Sequence, residues 1–294
     1  MIQVPIHITG FFFPVLRADV HHTGSLGAGF SLSEYVQTWT TKREDDRVRV
    51  FFHGQPATLK AITSKEAARE FFTQANIRSG VNIYHRLKVP ISCGLATSGA
   101  GALGVAFSLN KMFETSLSKE ELATIAHIAE VKQKTGLGSV IAQYRGKFEI
   151  RTKAGSPQIG KVKRIASDAK CAVLAYGAIK TQYILGSKQK LQKMKQVFGK
   201  KHTKLAENFS IKRFVTFSFQ FAEKSGLLTP FLRKLLERAK SIGLHGSMLM
   251  LGQGIFLFGR NLEDKVRILM EKTSEKPKAL IVRDICNTGV REVS

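Results

Sequence analysis

Three glycine-rich segments have spacings that suit phosphate binding. Gly155-Ser-Pro-Gln-Ile-Gly160-Lys161-Val162 matches the G-x-x-x-x-G-K spacing of a P-loop. Its last residue lacks the hydroxyl that a P-loop presents to Mg²⁺, and strand-like Val162–Ile165 follows where a helix belongs, so that reading fails. Gly99-Ala-Gly101-Ala-Leu-Gly104 matches G-x-G-x-x-G after a strand. A dinucleotide site needs an acidic residue closing the next strand about 20 residues later, and here Glu120 and Glu121 fall in the first turn of a helix. The third segment, Pro90–Gly101, joins a strand end, a small-residue loop with hydroxyls and a helix N-terminus. Such a loop offers free N–H groups and the positive end of a helix dipole to a phosphate chain; a tight turn packed with small residues is the alternative. His127 and Glu130, three residues apart on one helix face, could address a single site. Alone, they read equally as a packing histidine and an exposed acid.

These residues need a scaffold. Strands are expected over Ile2–Ile8, Phe30–Trp39, Arg47–Phe52 and Val81–Val89, which are β-branched or aromatic and partly alternating. Thr63 with Glu66, and Ser118 with Glu121, have capping-box spacing and open helices through Ile77 and about Lys134. Ala- and Leu-rich Ser98–Phe113 reads as a helix. Short strands follow at Val140–Tyr144, Lys147–Thr152 and Val162–Ile165. The later half has a strand at Cys171–Tyr176 and a long helical stretch from Ser187 to about Ile242. Strands at Met248–Leu251 and Ile255–Phe258 flank a Gly252-Gln253-Gly254 turn, before a helix from Asn261 and a strand at Ala279–Val282. That β-α-β-β-α-β order is ferredoxin-like. The fold class is therefore α+β, in two parts, residues 1–168 and 169–294, sharing a cleft.

The 294 residues suit one large or two ordinary domains, and 43% apolar content excludes disorder. Cys93, Cys171 and Cys286 are odd in number and far apart, so they form neither a metal pair nor a disulfide framework and point to a reducing, cytoplasmic compartment. The Met1–Ile8 start has no basic region, and no cleavage site follows Phe11–Leu16, which argues against a secretory signal. Ile242–Gly259 is uncharged, but its five glycines, His245, Ser247 and Gln253 suit a buried turn between strands better than a bilayer helix. The balance of 46 Lys+Arg against 22 Asp+Glu gives a net charge of +24, and polyanions are the first thought. Yet Lys180–Arg213 alone holds ten basic residues against Glu207, with no aromatic interleaving and no nucleic-acid motif. A solvated lysine-rich helical face is expected there, with nucleic acid no partner. The charge also suits an anionic substrate.

Pro90–Gly101 resembles the P-x-x-x-G-L-G-S-S-A-A loop of the GHMP kinases, and most closely that of the archaeal pantoate kinases. Four further regions resemble the same family in its order: His7-Ile8-Thr9-Gly10-Phe11-Phe12, Gly24-Ser25-Leu26-Gly27-Ala28-Gly29, Ala126-His127 through Lys134-Thr135-Gly136-Leu137-Gly138, and Gly246–Gly254. The resemblance spans nearly the whole chain. It implies the two-part GHMP kinase fold, with a phosphate-loop helix in the N-terminal half, a ferredoxin-like C-terminal half and the active site in the cleft. It also implies Mg²⁺- and ATP-dependent phosphorylation of pantoate to 4-phosphopantoate, towards coenzyme A, by a cytoplasmic homodimer. Two alternatives stay open: a GHMP-type kinase for another small hydroxy acid, and a nucleotide-binding homologue with impaired catalysis.

By the same resemblance Gly94, Thr97, Ser98, Gly99, Ala100 and Gly101 hold the ATP phosphates, and Ser98 and Glu130 bind the metal. Ser98 equally suits a helix N-cap. Arg151 would clamp the pantoate carboxylate bidentately, while Ser25 and His127 orient its hydroxyls. Gly252-Gln253-Gly254 matches the third family motif, which lies beside the phosphate loop. The catalytic set is Glu130, His127 and position 139, where the chain departs from the family. The family reads Gly-Leu-Gly-Asp; this chain reads Gly136-Leu137-Gly138-Ser139. Serine takes up no proton at neutral pH, and general-base help contributes about 10²–10⁴-fold, although a largely dissociative transfer survives its loss. Ser139 thus has three readings: an engineered inactive variant, a natural enzyme with another arrangement, or a degenerate homologue. Lys147 after Gly146, where the family often has paired glycines, is a smaller departure.

Overall fold

The computed structural model describes residues 1–57, 61–178 and 188–293. The first sheet is built from β1 (Ile2–Val15), β2 (Gly24–Arg43), β3 (Val48–Phe52), β4 (Gln55–Pro56), β5 (Gly80–Arg86), β6 (Phe148–Lys153) and β7 (Lys161–Ile165). The path runs β1-β2-β5-β3-β4, and β6, paired with β7, attaches to β2. Three helices pack on one another beside this sheet: α1 (Ile62–Ala75), α2 (Thr97–Phe113) and α3 (Lys119–Gln133). The buried face of α2 is rich in Gly and Ala, which lets the helix lie close to β1 and β2.

The second sheet holds β8 (Lys170–Ala178), β9 (His245–Met248), β10 (Gly252–Phe258) and β11 (Ala279–Asp284), all antiparallel, in the order β11-β8-β10-β9. This is the ferredoxin-like arrangement expected from the element order. The long helical stretch resolves into α5 (Lys188–Phe198), α6 (Lys201–Glu207), α7 (Ile211–Lys224) and α8 (Pro230–Ser241), with α9 (Leu262–Glu271) before β11. Its expected start at Ser187, and the Lys180 end of the basic run, lie outside the described residues. Within them Lys193, Lys195, Lys200 and Lys204 are exposed while Met194, Phe198 and Leu205 are buried, so the run is a solvated face. Aromatic rings join the two sheets: Phe30 of β2 stands 5.8 Å from Phe214 of α7 and 5.6 Å from Phe256 of β10. The chain end returns to the first sheet, where Ile285 bridges to Leu32 and β12 (Arg291–Glu292) pairs with β1. Residues 169–294 are therefore not wholly a C-terminal unit.

Three local expectations are corrected. Val140–Tyr144 is not a strand: α4 (Ser139–Gln143) occupies it, with Val140 through Gln143 buried. A short apolar run has no period that separates strand from helix. Here Gln143 is drawn inward, its Nε2 donating to the carbonyls of Pro5 at 2.9 Å and Ala96 at 3.1 Å. The Thr63–Glu66 capping box does not form, because α1 starts two residues earlier, with Ala61 at its N-cap. Thr63 instead bonds Thr135 at 3.1 Å. The Ser118–Glu121 box forms with both of its bonds. Gly252-Gln253-Gly254 opens β10; the turn itself is 249–251, with Leu251 at φ 64°. Ile242–Gly259 thus contains the β9–β10 hairpin, and among the described residues no helix is long and apolar enough to cross a membrane.

Candidate active site

The segment between β5 and α2 takes left-handed backbone at alternate residues, Ser92 (φ 66°), Gly94 (φ 79°) and Ala96 (φ 52°). Alternation of this kind turns successive N–H groups towards one concavity, a form suited to anions. Ala96, not Ser98, is the N-cap of α2, and no side chain caps that end. The first N–H groups of the 17-residue helix, at Thr97, Ser98 and Gly99, therefore have no capping side chain and carry the positive end of its dipole. Behind the loop stands Gly252, where a Cβ would overlap the Cys93 carbonyl and lie 2.8 Å from Gly94 N. The third glycine motif thus backs the loop by close approach of main chains.

Glu130 sits beside that helix end, 1% exposed. Ser98 Oγ donates to its Oε1 at 2.7 Å, Ser139 Oγ to its Oε2 at 2.6 Å, and Thr135 Oγ1 approaches Oε1 at 3.4 Å. Burial pushes the carboxyl above its ordinary value, against hydrogen bonds from Ser139, Ser98 and Thr135. Ser139 is thus a hydrogen-bond donor to the carboxylate. Among the described residues no group of three His, Cys, Asp or Glu side chains converges to hold a metal. One buried carboxylate flanked by hydroxyls nevertheless suits a hard cation that completes its shell with water and with phosphate oxygens held at the neighbouring helix N-terminus. These residues fit Mg²⁺.

Next to this cluster lies Arg151, 1% exposed. Its Nη1 donates to Glu149 Oε1 and stands 3.5 Å from the Gly138 carbonyl, while its Nε is buried without a partner. Gly138 joins the two clusters. A Cβ there would overlap Ser25 Oγ and lie 2.9 Å from Arg151 Nε, and the next residue is Ser139. Ser25, Arg151, Ser139, Glu130 and Ser98 are therefore contiguous, as their spacing along the chain could not show. His127 stands apart from Glu130 despite sharing a helix. Its Nε2 donates to the Thr23 carbonyl at 2.9 Å, so its ring braces the loop leading into Ser25. Burial pushes it down to about 4, so it is neutral at physiological pH. A catalytic role for His127 at the metal cluster is not what this geometry offers. Sequence reasoning missed Glu149, Thr135 and the chemistry of His7. The signal for Glu149 was its i, i+2 relation to Arg151 on one strand face, opposite two glycines of β2.

Residues 62–147 match the family model described as the GHMP kinases N terminal domain. The chain is 33% identical over 269 residues to the pantoate kinase of Thermococcus kodakarensis, covering 88% of this chain and 87% of that protein. It is 31% identical over 262 residues to the pantoate kinase of Methanospirillum hungatei, with 88% and 87% covered. The chain belongs to the pantoate kinase family of the GHMP kinases. A solved structure described as a phosphotransferase related to the CoA biosynthesis pathway superposes with a TM-score of 0.87 at 28% identity, covering 99% of this chain and 98% of that one. A mevalonate kinase structure at 13% identity and TM-score 0.66 shares the fold. Lys147 adopts φ 74° beside Gly146 at φ 69°, a pair of left-handed residues that glycine takes without strain and lysine only at a cost.

Proposed function

We propose that the protein is an ATP-dependent kinase that phosphorylates pantoate to 4-phosphopantoate. Family membership supports ATP as the phosphoryl donor, and the observation that carries the acceptor is Arg151. A buried guanidinium with an unpartnered Nε, beside Ser25 and one residue-step from the Glu130 cluster, suits a small hydroxy acid. In this reading Gly94, Thr97, Ser98 and Gly99 bind the phosphates through loop and helix N–H groups, while Ala100, whose N–H donates to the Ala96 carbonyl, and Gly101 line the site as small residues that let the phosphates approach. Ser98 and Glu130 would hold Mg²⁺, which supplies neutralisation of phosphate charge when bound. Arg151 binds the substrate carboxylate, Ser25 orients a hydroxyl, and His127 fixes the Ser25 loop through Thr23.

The pantoate 4-hydroxyl oxygen bonds the γ-phosphorus as the bond from that phosphorus to the β–γ bridging oxygen breaks; ADP leaves with that oxygen, and the hydroxyl proton passes to a phosphoryl oxygen and on to solvent. Ser139 is no general base in this step, because an alcohol takes up no proton near neutral pH, and its hydroxyl hydrogen is directed at Glu130. A largely dissociative transition state asks for alignment more than for a base, so the chain relies on position and charge. Two domains, residues 1–168 and 169–294 with the last residues strapped to the first sheet, a homodimer, and a cytoplasmic location belong to the same proposal. The test is ADP formation from Mg²⁺-ATP with and without pantoate, using this chain and Arg151→Gln. Pantoate-dependent turnover that Arg151→Gln weakens through KM is expected. ATP protection against heat without pantoate-dependent turnover would overturn the reading in favour of another acceptor or a binding homologue.

A further inference from the structure

Arg151 is among the largest fully buried side chains, and a buried guanidinium needs a partner on each edge. It has partners on one side only: Nη1 faces Glu149 and the Gly138 carbonyl, and Nε faces none. Glu149 is itself fully buried and fully engaged. Its Oε1 also accepts from His7 Nε2 at 3.0 Å, and its Oε2 from Gly29 N at 2.8 Å. Strand register explains how such large groups fit. Glu149 and Arg151 point to one face of β6 and lie opposite Gly29 and Gly27 of β2. A Cβ at Gly27 would stand 3.0 Å from Arg151 Nη2, and one at Gly29 would stand 2.6 Å from His7 Nε2. The glycine pair therefore opens a trough in which Arg151, Glu149 and His7 lie side by side. His7 N donates to the Leu95 carbonyl at 3.2 Å, which ties the end of the trough to the phosphate loop.

We propose that His7 and Glu149 are positioning residues of the reaction: they lock Nη1 of Arg151 so that its Nε–Nη2 edge is held out for the substrate carboxylate. This rests on the reading of Arg151 above and deepens it. The guanidinium is shared between two carboxylates, one from the chain and one from the substrate, and the substrate supplies the partner that Nε lacks. His7 donates as a neutral ring, since burial lowers its protonation below the ordinary histidine value. Glu149 then has two separable effects. As a charge it opposes an anionic substrate; as a brace it favours one.

The experiment compares steady-state KM for pantoate and for ATP in the parent, Arg151→Gln, Glu149→Gln, His7→Leu and His7→Gln, with thermal unfolding of each. Positioning predicts that Glu149→Gln raises the pantoate KM about tenfold or more, although it removes a negative charge from the pocket, while the ATP KM moves less than about twofold. His7→Leu raises the pantoate KM in the same direction, and His7→Gln, which keeps an N–H donor, restores it. A lower pantoate KM in Glu149→Gln would mean that Glu149 acts only as a charge, and equal shifts in both KM values would mean a merely structural role; either overturns the inference. If Arg151→Gln leaves the pantoate KM unchanged, the reading of Arg151 itself fails. If Arg151→Gln raises it and the His7 and Glu149 variants do not, the reading stands and the positioning inference falls. Should Glu149→Gln not fold, the His7 pair carries the test, because it removes one of three donors to Glu149 without leaving Arg151 unpaired.

Discussion

Replacing Ser139 with aspartate exchanges a donor for an acceptor 2.6 Å from Glu130 Oε2. Burial already pushes the Glu130 carboxyl up, and Ser139 provides the foremost of the hydrogen bonds that oppose it. The substitution removes that bond, at about 1.5–3 kcal/mol for a bond to a charged group. It also sets a like charge nearby, worth about 4 kcal/mol at roughly 4 Å and an effective dielectric near 20. The pair escapes most of this by keeping one proton, as carboxylates sharing a site do. The sign with pH follows. The folded protein then holds a proton that the unfolded chain has released, so stability falls as pH climbs above the ordinary carboxylate range. Thermal unfolding at pH 5 and pH 8, with and without Mg²⁺-ATP, reads this out. Ser139→Asp should match the parent closely at pH 5. At pH 8 it should unfold about 5–10 °C lower, taking about 2–4 °C per kcal/mol, and Mg²⁺-ATP should restore more of that loss than it adds to the parent. Unchanged stability at pH 8 would refute the argument, since residue 139 would then not face an ionised Glu130. The same samples decide the chemistry. A rise in pantoate-dependent turnover of about 10²–10⁴ would show that a base was missing, and equal rates would show that alignment carries the step.

Further outcomes follow from the same geometry. Glu130→Gln removes a buried carboxylate whose folded-state value is raised, so its unfolding temperature at pH 8 should equal or exceed the parent's while Mg²⁺-ATP turnover falls roughly 10²-fold or more. A less stable variant with full activity would contradict the metal-site reading. Gly252→Ala forces a methyl into the Cys93 carbonyl and Gly94 N. It should cost about 1–3 kcal/mol by overpacking and raise the ATP KM with the pantoate KM little changed, which initial-rate kinetics would check. His85 and His127 are both pushed down to about 4 by burial, against about 6.5 in the unfolded chain. Stability is therefore lost as pH falls from about 6.5 towards 4, and His127→Gln should flatten that loss in pH-dependent urea unfolding.

Motif order and spacing were enough to indicate the family, the two-part α+β fold and the small-residue loop that leads into α2. These depend on local backbone demands: glycine at turns, small residues along α2, and a capping box at Ser118 that forms as its spacing requires. Serine at position 139, where the resemblance implies aspartate, was equally legible. The strand expected at Val140–Tyr144 failed because three apolar residues carry no period, and the Thr63 box failed because the helix begins at Ile62, which leaves Thr63 inside its first turn and bonded to Thr135.

Which functional side chains meet was decided only in three dimensions. His127 and Glu130 share a helix, yet one is committed to the Thr23 carbonyl and the other to Ser98 and Ser139, because the elements packed on each side of α3 differ. Arg151 could be named from its motif, but its free edge exists only because Glu149 occupies the other and Gly27 and Gly29 across the sheet leave room. Sequence determined which residue types were present and how the backbone would turn locally. Burial, register and the competition of donors for a few buried carboxylates depend on contacts more than a hundred residues apart, as between His7 and Glu149, and only the folded chain sets them.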